Sequence, residues 1–381
     1  PWPMTGEVNR RNVINPYLEK LQGLLEQASP RLLNVKLFIY GFSRGAAEAR
    51  TFVNWLTQLA CPQEQQVMLA GLAVSIEFLG LLDTVASVGA AHVLPGAAGH
   101  MGWADSTQQL PDERQFPGLI KCCRHFVAAH EQRLCFPLDS IRRPDGNYPL
   151  NAEEIIYPGM HSDVGGGYPV RDQGKSCGDS GDILSQIALH DMYLAAFDSG
   201  APLAVYSKFV TPLIKGVSPL RIMSPSSVKE FTIANSLTKR FNIWRQTLLN
   251  TTLQGTEEMI DTREGYHPYQ LAQVLQQIKA MGDGLYPQFF IDSLGTGTRT
   301  QPCAELLALY DDQVHDSRAW FMQSSLGGRE PWGGYFRYRM IYFGDEANKE
   351  LKLISADGEV VGDQPTSNRV IYWMESKTVS R

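Results

Sequence analysis

Short apolar runs alternate with amphipathic segments in the first half of the chain. Leucines at helical spacing predict a helix over residues 15–27, and an alanine-rich stretch with an apolar stripe predicts another over residues 46–59. A third helix is predicted over residues 182–197. Short apolar runs predict buried strands at residues 35–40, 73–82, 126–129 and 154–157. This alternation indicates an α/β fold whose mostly parallel sheet is covered by helices on both faces.

The pattern changes beyond residue 200. Residues 201–300 are predicted to be helical and loop-rich, and residues 301–381 to hold a helix that reaches Asp311, followed by β-rich stretches. The β-rich stretches are residues 335–343, 351–354 and 369–373. We therefore predict a catalytic core in residues 1–200, a helical insertion in residues 201–300, and a C-terminal β-containing segment, residues 301–381, that returns to the core.

Composition and charge narrow the class of protein. A net charge of −6 argues against a protein whose whole surface binds nucleic acid. The hydrophobic share of 43% and charged share of 19% are ordinary for a globular protein with a large core. We find no signal peptide and no apolar run of transmembrane length. No cluster of His, Cys and carboxylate residues has the spacing of metal ligands, so neither a metal nor another cofactor is expected.

A G-x-S-x-G motif lies between the first predicted strand and the helix that follows it. Ser43 is the central residue, and Gly41 and Gly45 flank it. In this context the chain turns sharply and lifts the serine above the sheet, and we expect a Cβ at either glycine to clash with a neighbouring element. The amide of Arg44 would begin the helix, where unpaired donors favour an anion. The motif therefore predicts Ser43 as a nucleophile and the Arg44 amide as half of an oxyanion hole.

A serine nucleophile needs a base, and the base needs an orienting carboxylate, in the chain order Ser, Asp or Glu, His. Asp83 ends the next predicted strand, and His161 follows a later one on a glycine-rich loop. These two positions fit the order. Asp83 could also be an ordinary turn or cap residue. The alternative carboxylates are Glu131, Asp139 and Asp163, and the alternative base is His315.

Two longer motifs surround these candidate residues. Gly41 opens the run G-F-S-R-G-A-A, and His161 opens the run H-S-D-V-G-G-G-Y. Together they resemble the bacterial α/β-hydrolase family that holds the type VI secretion lipase effectors, family 1. The runs F-L-G-L-L-D-T-V-A at residues 78–86 and H-D-S-R-A-W-F at residues 315–321 are similar to the same family.

The resemblance implies an α/β-hydrolase fold and a phospholipase with Ser43, Asp83 and His161 as its triad. It also implies synthesis in a bacterial cytoplasm and delivery into the periplasm of a rival cell, where membrane phospholipids are the substrate. A cognate immunity protein and a secretion-spike protein would be its partners. The family begins with a strand that ends in Asp-Gly-Thr near the oxyanion hole, and this sequence has none. We therefore expect a missing first strand, and the second oxyanion donor stays unassigned.

A phospholipase must also contact an interface. Basic side chains outnumber the single acidic Glu230 in residues 201–250, and aromatic residues are interleaved with them. This stretch is either a surface for anionic lipid, a docking face for a protein, or a solvated charged insertion. A second candidate is the Gly/Ala-rich loop at residues 90–103, as a lid, an acyl-chain wall or a packed loop. The candidate contact residues are Trp103, Lys239, Arg240, Trp244 and Arg245.

Three functional hypotheses follow. The first is a phospholipase of the A type, a carboxylic ester hydrolase that acts as an antibacterial effector. The second is an esterase or thioesterase for small soluble substrates. The third is a hydrolase-fold binding protein without catalysis, against which the intact Ser43, Asp83 and His161 argue.

Overall fold

The computed structural model describes residues 2–86, 109–131, 136–145, 147–205, 221–249, 304–315, 317, 338–343 and 345–353. The α-helices in these ranges are α1 (Trp2–Glu26), α2 (Arg44–Leu59), α3 (His161–Gly165), α4 (Ser185–Asp198), α5 (Pro225–Glu230), α6 (Asn235–Leu249) and α7 (Ala304–Asp312), and residues Asp172–Gly174 and Ser180–Asp182 form short 3-10 helices. The strands are β1 (Asn34–Phe42), β2 (Cys61–Gln63), β3 (Gln66–Leu69), β4 (Leu72–Leu82), β5 (Cys123–Ala128), β6 (Leu138–Asp139), β7 (Ala152–Tyr157), β8 (Tyr338–Phe343) and β9 (Asp345–Leu353).

Strand β4 pairs with three other strands of a six-stranded, mostly parallel sheet. It pairs in parallel with β1 and β5, and β5 pairs in parallel with β7. The short hairpin of β2 and β3 joins β4 in the antiparallel direction. Because β1, β4, β5 and β7 run the same way, their carboxyl ends meet at one edge, where open α/β sheets bind ligands. The α/β class with a mostly parallel sheet is confirmed.

Helices cover both faces of this sheet because alternate residues of β4 point to opposite sides. One apolar cluster combines Val53 of α2 with Leu79 of β4. The other combines Ile187 of α4 and Phe241 of α6 with Phe78 of β4. Each face of the sheet therefore has its own buried core.

The regular alternation predicted most of this architecture, but two elements differ from expectation. The predicted strands and helices correspond to β1, β4, β5, β7, α2 and α4. Helix α1 begins at Trp2 and includes Pro16, so it is longer than the leucine spacing indicated. The hairpin of β2 and β3 was not predicted, since its strands span only three and four residues and alternation needs a longer run.

A second, three-stranded sheet joins distant parts of the chain. Strand β6 pairs in parallel with β8, and β8 pairs in the antiparallel direction with β9. The β-rich stretch predicted at residues 335–343 thus contains β8. The one predicted at residues 351–354 overlaps the end of β9, and the one at residues 369–373 lies outside the described residues. The division into three parts, residues 1–200, 201–300 and 301–381, stays a prediction.

A buried polar network supports the carboxyl edge of the main sheet. Glu154 on β7 is 0% exposed and accepts hydrogen bonds from His125 Nδ1 at 2.8 Å and from the Ile141 amide at 2.9 Å. The Thr84 amide donates to His125 Nε2 at 3.1 Å. That nitrogen must therefore accept through its lone pair, and Nδ1 is the nitrogen that donates to Glu154. Through His125, these hydrogen bonds connect β7 to Thr84, the residue that follows Asp83.

Replacement of Glu154 tests how much the network stabilises the fold. Burial alone would raise the pKa of Glu154, but the hydrogen bond from His125 and its other partners outweigh burial and hold this pKa below its ordinary value of 4.5. The ionised carboxylate therefore stabilises the fold above pH 4.5, and this contribution is lost as the pH falls through the lower folded-state pKa. We expect Glu154→Gln to lower the free energy of unfolding in urea at pH 7 by about 1–3 kcal/mol, and by less at pH 4.

Glu153 is the matched control, because it is the neighbouring residue and its side chain is 38% exposed in an ion pair with Arg124. We expect Glu153→Gln to change the free energy of unfolding by less than about 1 kcal/mol. Equal losses in the free energy of unfolding for the two variants, or a loss for Glu154→Gln that does not depend on pH, would contradict the stabilising role of the ionised Glu154 carboxylate.

Candidate active site

Ser43 lies on the sharp turn between β1 and α2. Its backbone has φ 59° and ψ −122°, a conformation that costs energy for any residue other than glycine. Hydrogen bonds fix this strained turn: the Ser43 amide donates to Leu82 O at 2.9 Å, and Ser43 O accepts from the amides of Ala46, Ala47 and Val85. The turn is therefore bound to the end of β4, and it presents Ser43 at the carboxyl edge of the sheet.

The two motif glycines differ in what they do. A Cβ on Gly41 would come within 2.3 Å of the carbonyl oxygen of Gly45, so only glycine allows strand and helix to approach this closely. A Cβ on Gly45 would meet no atom of the described residues within 4 Å. The expectation that both glycines prevent a clash is therefore wrong for Gly45, because the first turn of α2 faces open space there.

Asp83 and His161 form a short hydrogen bond at the same edge. Asp83 Oδ2 and His161 Nδ1 are 2.6 Å apart, and the two residues are 0% and 4% exposed. The other carboxylate oxygen of Asp83 accepts the Ala128 amide at 2.9 Å. Asp83 also has a positive φ of 42°, so its backbone is strained where β4 ends. The bond fixes the Nδ1–H tautomer and leaves the lone pair of His161 on Nε2.

Two aromatic rings place the imidazole of His161 beside the serine turn. Its centroid is 4.5 Å from the ring of Phe42, which directly precedes Ser43, and 5.0 Å from the ring of Phe136. Gly165 makes room, since a Cβ there would come within 2.0 Å of Phe42. Within the described ranges no hydrogen bond joins Ser43 Oγ to His161, as is common in unliganded sites where this bond tightens on substrate binding.

The Arg44 amide lies where the sequence predicted it. Arg44 is the first residue of α2, so its amide has no acceptor within the helix and points out of the helix N-terminus. The N-terminus also carries a partial positive charge. An oxyanion that forms on a carbonyl attacked by Ser43 would lie next to this donor.

The alternative carboxylates have other partners than the His161 imidazole. Glu131 accepts the backbone amide of His161 at 3.2 Å, and Asp139 accepts the amide of Ala86 at 3.0 Å. Asp163 binds His315 instead. Asp83 is therefore the carboxylate that the structure brings to the His161 ring, while the catalytic roles themselves stay a prediction.

The alternative base, His315, belongs to a second buried pair. Its Nδ1 is 2.6 Å from Asp163 Oδ1, its ring stacks on Tyr168 at 3.9 Å, and the residue is 1% exposed. Burial raises the pKa of Asp163, and the hydrogen bond from His315 partly offsets this effect. Sequence reasoning missed this pair because its members are 152 residues apart. The only available signal was that both stand in family-like motifs.

The structure contradicts the expected membrane contact of one residue, and it pairs two others with acidic side chains. Trp244 is 1% exposed and belongs to a core cluster, so it cannot contact a surface. Lys239 binds Glu305 at 3.1 Å, and Arg240 binds Asp312 at 2.9 Å. Lys239 and Arg240 are paired with α7 because α6 packs its apolar side on the core and that helix lies beside these two residues.

Two further expectations about contact residues concern parts that the structure leaves out. Trp103 lies outside the described residues, and the side chain of Arg245 does as well.

Among the described helices, none combines the length and the apolar character that a membrane span requires. The described part of the chain also contains no group of three or more His, Cys, Asp or Glu residues placed to hold a metal ion.

A pair of alanine substitutions tests the geometry of the turn. We expect Gly41→Ala to lower the free energy of unfolding by about 2–3 kcal/mol, because its Cβ would overlap backbone atoms that cannot move freely. We expect Gly45→Ala to be neutral or to stabilise the protein by up to about 1 kcal/mol, since alanine is the better helix residue. Thermal and urea unfolding of the two variants measure this. A larger loss for Gly45→Ala than for Gly41→Ala would contradict the turn described above.

Comparisons with known proteins agree with this architecture. Residues 57–195 match the family model "T6SS, Phospholipase effector Tle1-like, catalytic domain", and residues 270–377 match the corresponding C-terminal domain. A crystal structure of an uncharacterized protein from Pseudomonas aeruginosa is 32% identical, with a TM-score of 0.64 over 92% of this chain. This chain spans 63% of the length of that protein. No curated protein gave a significant match.

A further solved structure is described as the Tle1 effector bound to the VgrG spike from the type 6 secretion system. It is 25% identical, covers 43% of this chain and 32% of its own, and has a TM-score of 0.24. The two family models cover successive parts of the chain, the first across β4, β5 and β7 and the second across β8 and β9. The chain belongs to the Tle1-like phospholipase effector family of the type VI secretion system.

Proposed function

We propose that this chain is a serine hydrolase of the α/β-hydrolase type that cleaves carboxylic esters of phospholipids. The observation that carries the proposal is the 2.6 Å bond between Asp83 and His161, made next to the strained turn of Ser43. Membership of the Tle1-like phospholipase family supports the substrate class. Ser43 itself precedes the matched range of the catalytic family model, so its role depends on the geometry.

In the proposed mechanism each residue has a part in acyl transfer. Asp83 holds the proton of His161 on Nδ1, which leaves Nε2 free to take the proton of Ser43 Oγ as that oxygen attacks the ester carbonyl. The Arg44 amide donates to the oxyanion of the tetrahedral intermediate. His161 then returns the proton to the leaving alcohol, and a water molecule activated by His161 hydrolyses the acyl-enzyme. The products of an A-type cleavage are a fatty acid and a lysophospholipid.

Family membership also supports a proposal about where the protein is made and where it acts. We propose that the protein is made in the bacterial cytoplasm and delivered by the type VI apparatus into the periplasm of a rival cell, where membrane phospholipid is the substrate. A spike protein would carry it, and a cognate immunity protein would protect the producer. The spike assignment is proposed from family membership, since the VgrG complex concerns another effector.

Replacement of the two reacting residues tests the chemistry. We expect Ser43→Ala and His161→Ala each to lower kcat for p-nitrophenyl butyrate by at least about 10³-fold, because neither residue can act without the other. Far-ultraviolet circular dichroism should show that both variants fold. Ser199→Ala is the matched control, since that hydroxyl binds Ala195 O at the end of α4 and lies outside the proposed machinery. Full activity of Ser43→Ala would refute the serine mechanism.

The substrate class is tested with the purified wild-type protein. We expect release of fatty acid and lysophospholipid from vesicles of phosphatidylglycerol and phosphatidylethanolamine, measured by mass spectrometry, and no release by Ser43→Ala. Hydrolysis confined to short soluble esters would replace the phospholipase by a small-ester esterase. Binding to vesicles with no hydrolysis of any ester would indicate a binding protein with a hydrolase fold.

A further inference from the structure

Three consecutive backbone amides lead into the proposed base, and each donates to a buried side chain. The Gly159 amide donates to His130 Nδ1 at 2.8 Å, the Met160 amide to Asp163 Oδ2 at 2.9 Å, and the His161 amide to Glu131 Oε2 at 3.2 Å. All three acceptor side chains are no more than 2% exposed. The backbone that aims His161 is therefore held by two side chains that precede α3, His130 and Glu131, and by Asp163 within it.

Each of these acceptors makes a second hydrogen bond, and every one of those bonds goes to the same distant segment. His130 Nε2 is 3.2 Å from the Tyr310 hydroxyl, Asp163 Oδ1 is 2.6 Å from His315 Nδ1, and Glu131 Oε1 accepts from the Ser317 hydroxyl at 3.2 Å. Asp163 Oδ2 also accepts the His315 amide at 3.1 Å. We call Tyr310, His315 and Ser317 the C-terminal clamp.

The proton positions of the clamp follow from its partners. His130 Nδ1 accepts an amide, so the ring carries its proton on Nε2 and donates it to Tyr310. His315 donates from Nδ1 to the Asp163 carboxylate. Each bridging side chain therefore satisfies the loop and the clamp at once, and losing a clamp residue leaves a buried polar atom without its partner.

The segment that carries the clamp is itself anchored to the core. It begins in α7, whose last carbonyls at Tyr310 and Asp311 accept hydrogen bonds from Lys175 Nζ. The Ser176 amide donates to Asp312 O at 2.6 Å. The clamp thus has a fixed position from which it can hold the loop at residues 159–161.

We infer that the C-terminal clamp positions His161 for catalysis, so that Tyr310, His315 and Ser317 are positioning residues of the proposed reaction. The inference rests on the proposed role of His161 and adds that residues within the matched C-terminal family domain complete the site. The clamp acts through His130, Asp163 and Glu131 on three successive amides, so it sets where the imidazole points and touches neither substrate nor Ser43.

Three single variants test the clamp by kinetics: Tyr310→Phe, His315→Ala and Ser317→Ala. We expect each to lower kcat for p-nitrophenyl butyrate by about tenfold or more while KM stays within about twofold, because a small misplacement of a reacting group slows chemistry without weakening binding. His315→Asn should recover most of the rate, since the asparagine amide can donate to Asp163 from nearly the position of Nδ1. The control is Gln313→Met, a buried residue of the same segment that binds Arg240 instead. It should keep kcat within about twofold.

Hydrogen exchange gives a measure that does not depend on catalysis. In the clamp variants the amides of Gly159, Met160 and His161 should exchange at least about tenfold faster, while those of β7 keep their protection. The Tyr310→Phe variant removes one oxygen atom, so it decides the question if His315→Ala fails to fold. Unchanged kcat and unchanged exchange at residues 159–161 in Tyr310→Phe and Ser317→Ala would overturn the inference.

A failure of the proposed serine mechanism can be distinguished from a failure of the clamp inference. If wild-type protein and Ser43→Ala hydrolyse esters at the same rate, the serine mechanism fails, whereas the exchange experiment still decides whether the clamp holds the loop. If Ser43→Ala is inactive but the clamp variants keep wild-type kcat, the proposed function stands and the positioning role fails. A fall in the melting temperature that is equal in the clamp variants and in Gln313→Met, with kcat unchanged, would leave the clamp a purely structural role.

Discussion

The hydrogen bond between Asp83 and His161 is the contact on which the site depends. A carboxylate that is 0% exposed is costly to bury unless donors compensate its charge, and here the Ala128 amide and His161 Nδ1 do so. The same bond fixes the imidazole tautomer, so a requirement of stability also fulfils a requirement of the proposed catalysis. Ser43 enters this arrangement because β1 and β4 are paired up to their last residues, which places the serine turn directly beside Asp83.

The buried polar groups behind Asp83 extend the same constraint through the sheet. Asp83 has a strained backbone, and its neighbour Thr84 donates to His125, which in turn donates to Glu154 on β7. The strain is maintained because the hydrogen bonds of Asp83 and Thr84 determine the backbone conformation where β4 ends. The carboxyl edge is therefore fixed by hydrogen bonds on the side of Asp83, as the proposed preorganised site requires.

Local pattern was sufficient for the parts of the site that depend on one strand and one turn. Ser43 was predictable because a strand, two glycines and a helix surround it, and Asp83 and His161 because each follows a buried strand. The role of Gly45 was not, since sequence cannot tell whether a Cβ meets a neighbour or open space. Trp244 was misplaced for a similar reason: an amphipathic helix with basic residues looks the same whether its apolar face meets lipid or a protein core.

The hydrogen bonds between the residues near His161 and the segment at residues 310–317 could not be predicted from the sequence. They explain why these two distant parts of the chain pack together. The amides of Gly159, Met160 and His161 lead into helix α3, whose backbone offers them no acceptors, so the acceptors must be side chains. His130, Glu131 and Asp163 supply them, but each brings a buried polar atom that needs a partner of its own. Tyr310, His315 and Ser317 provide those partners from a family domain that follows the catalytic one. The need to satisfy buried polar groups thus ties the proposed base to the far end of the chain.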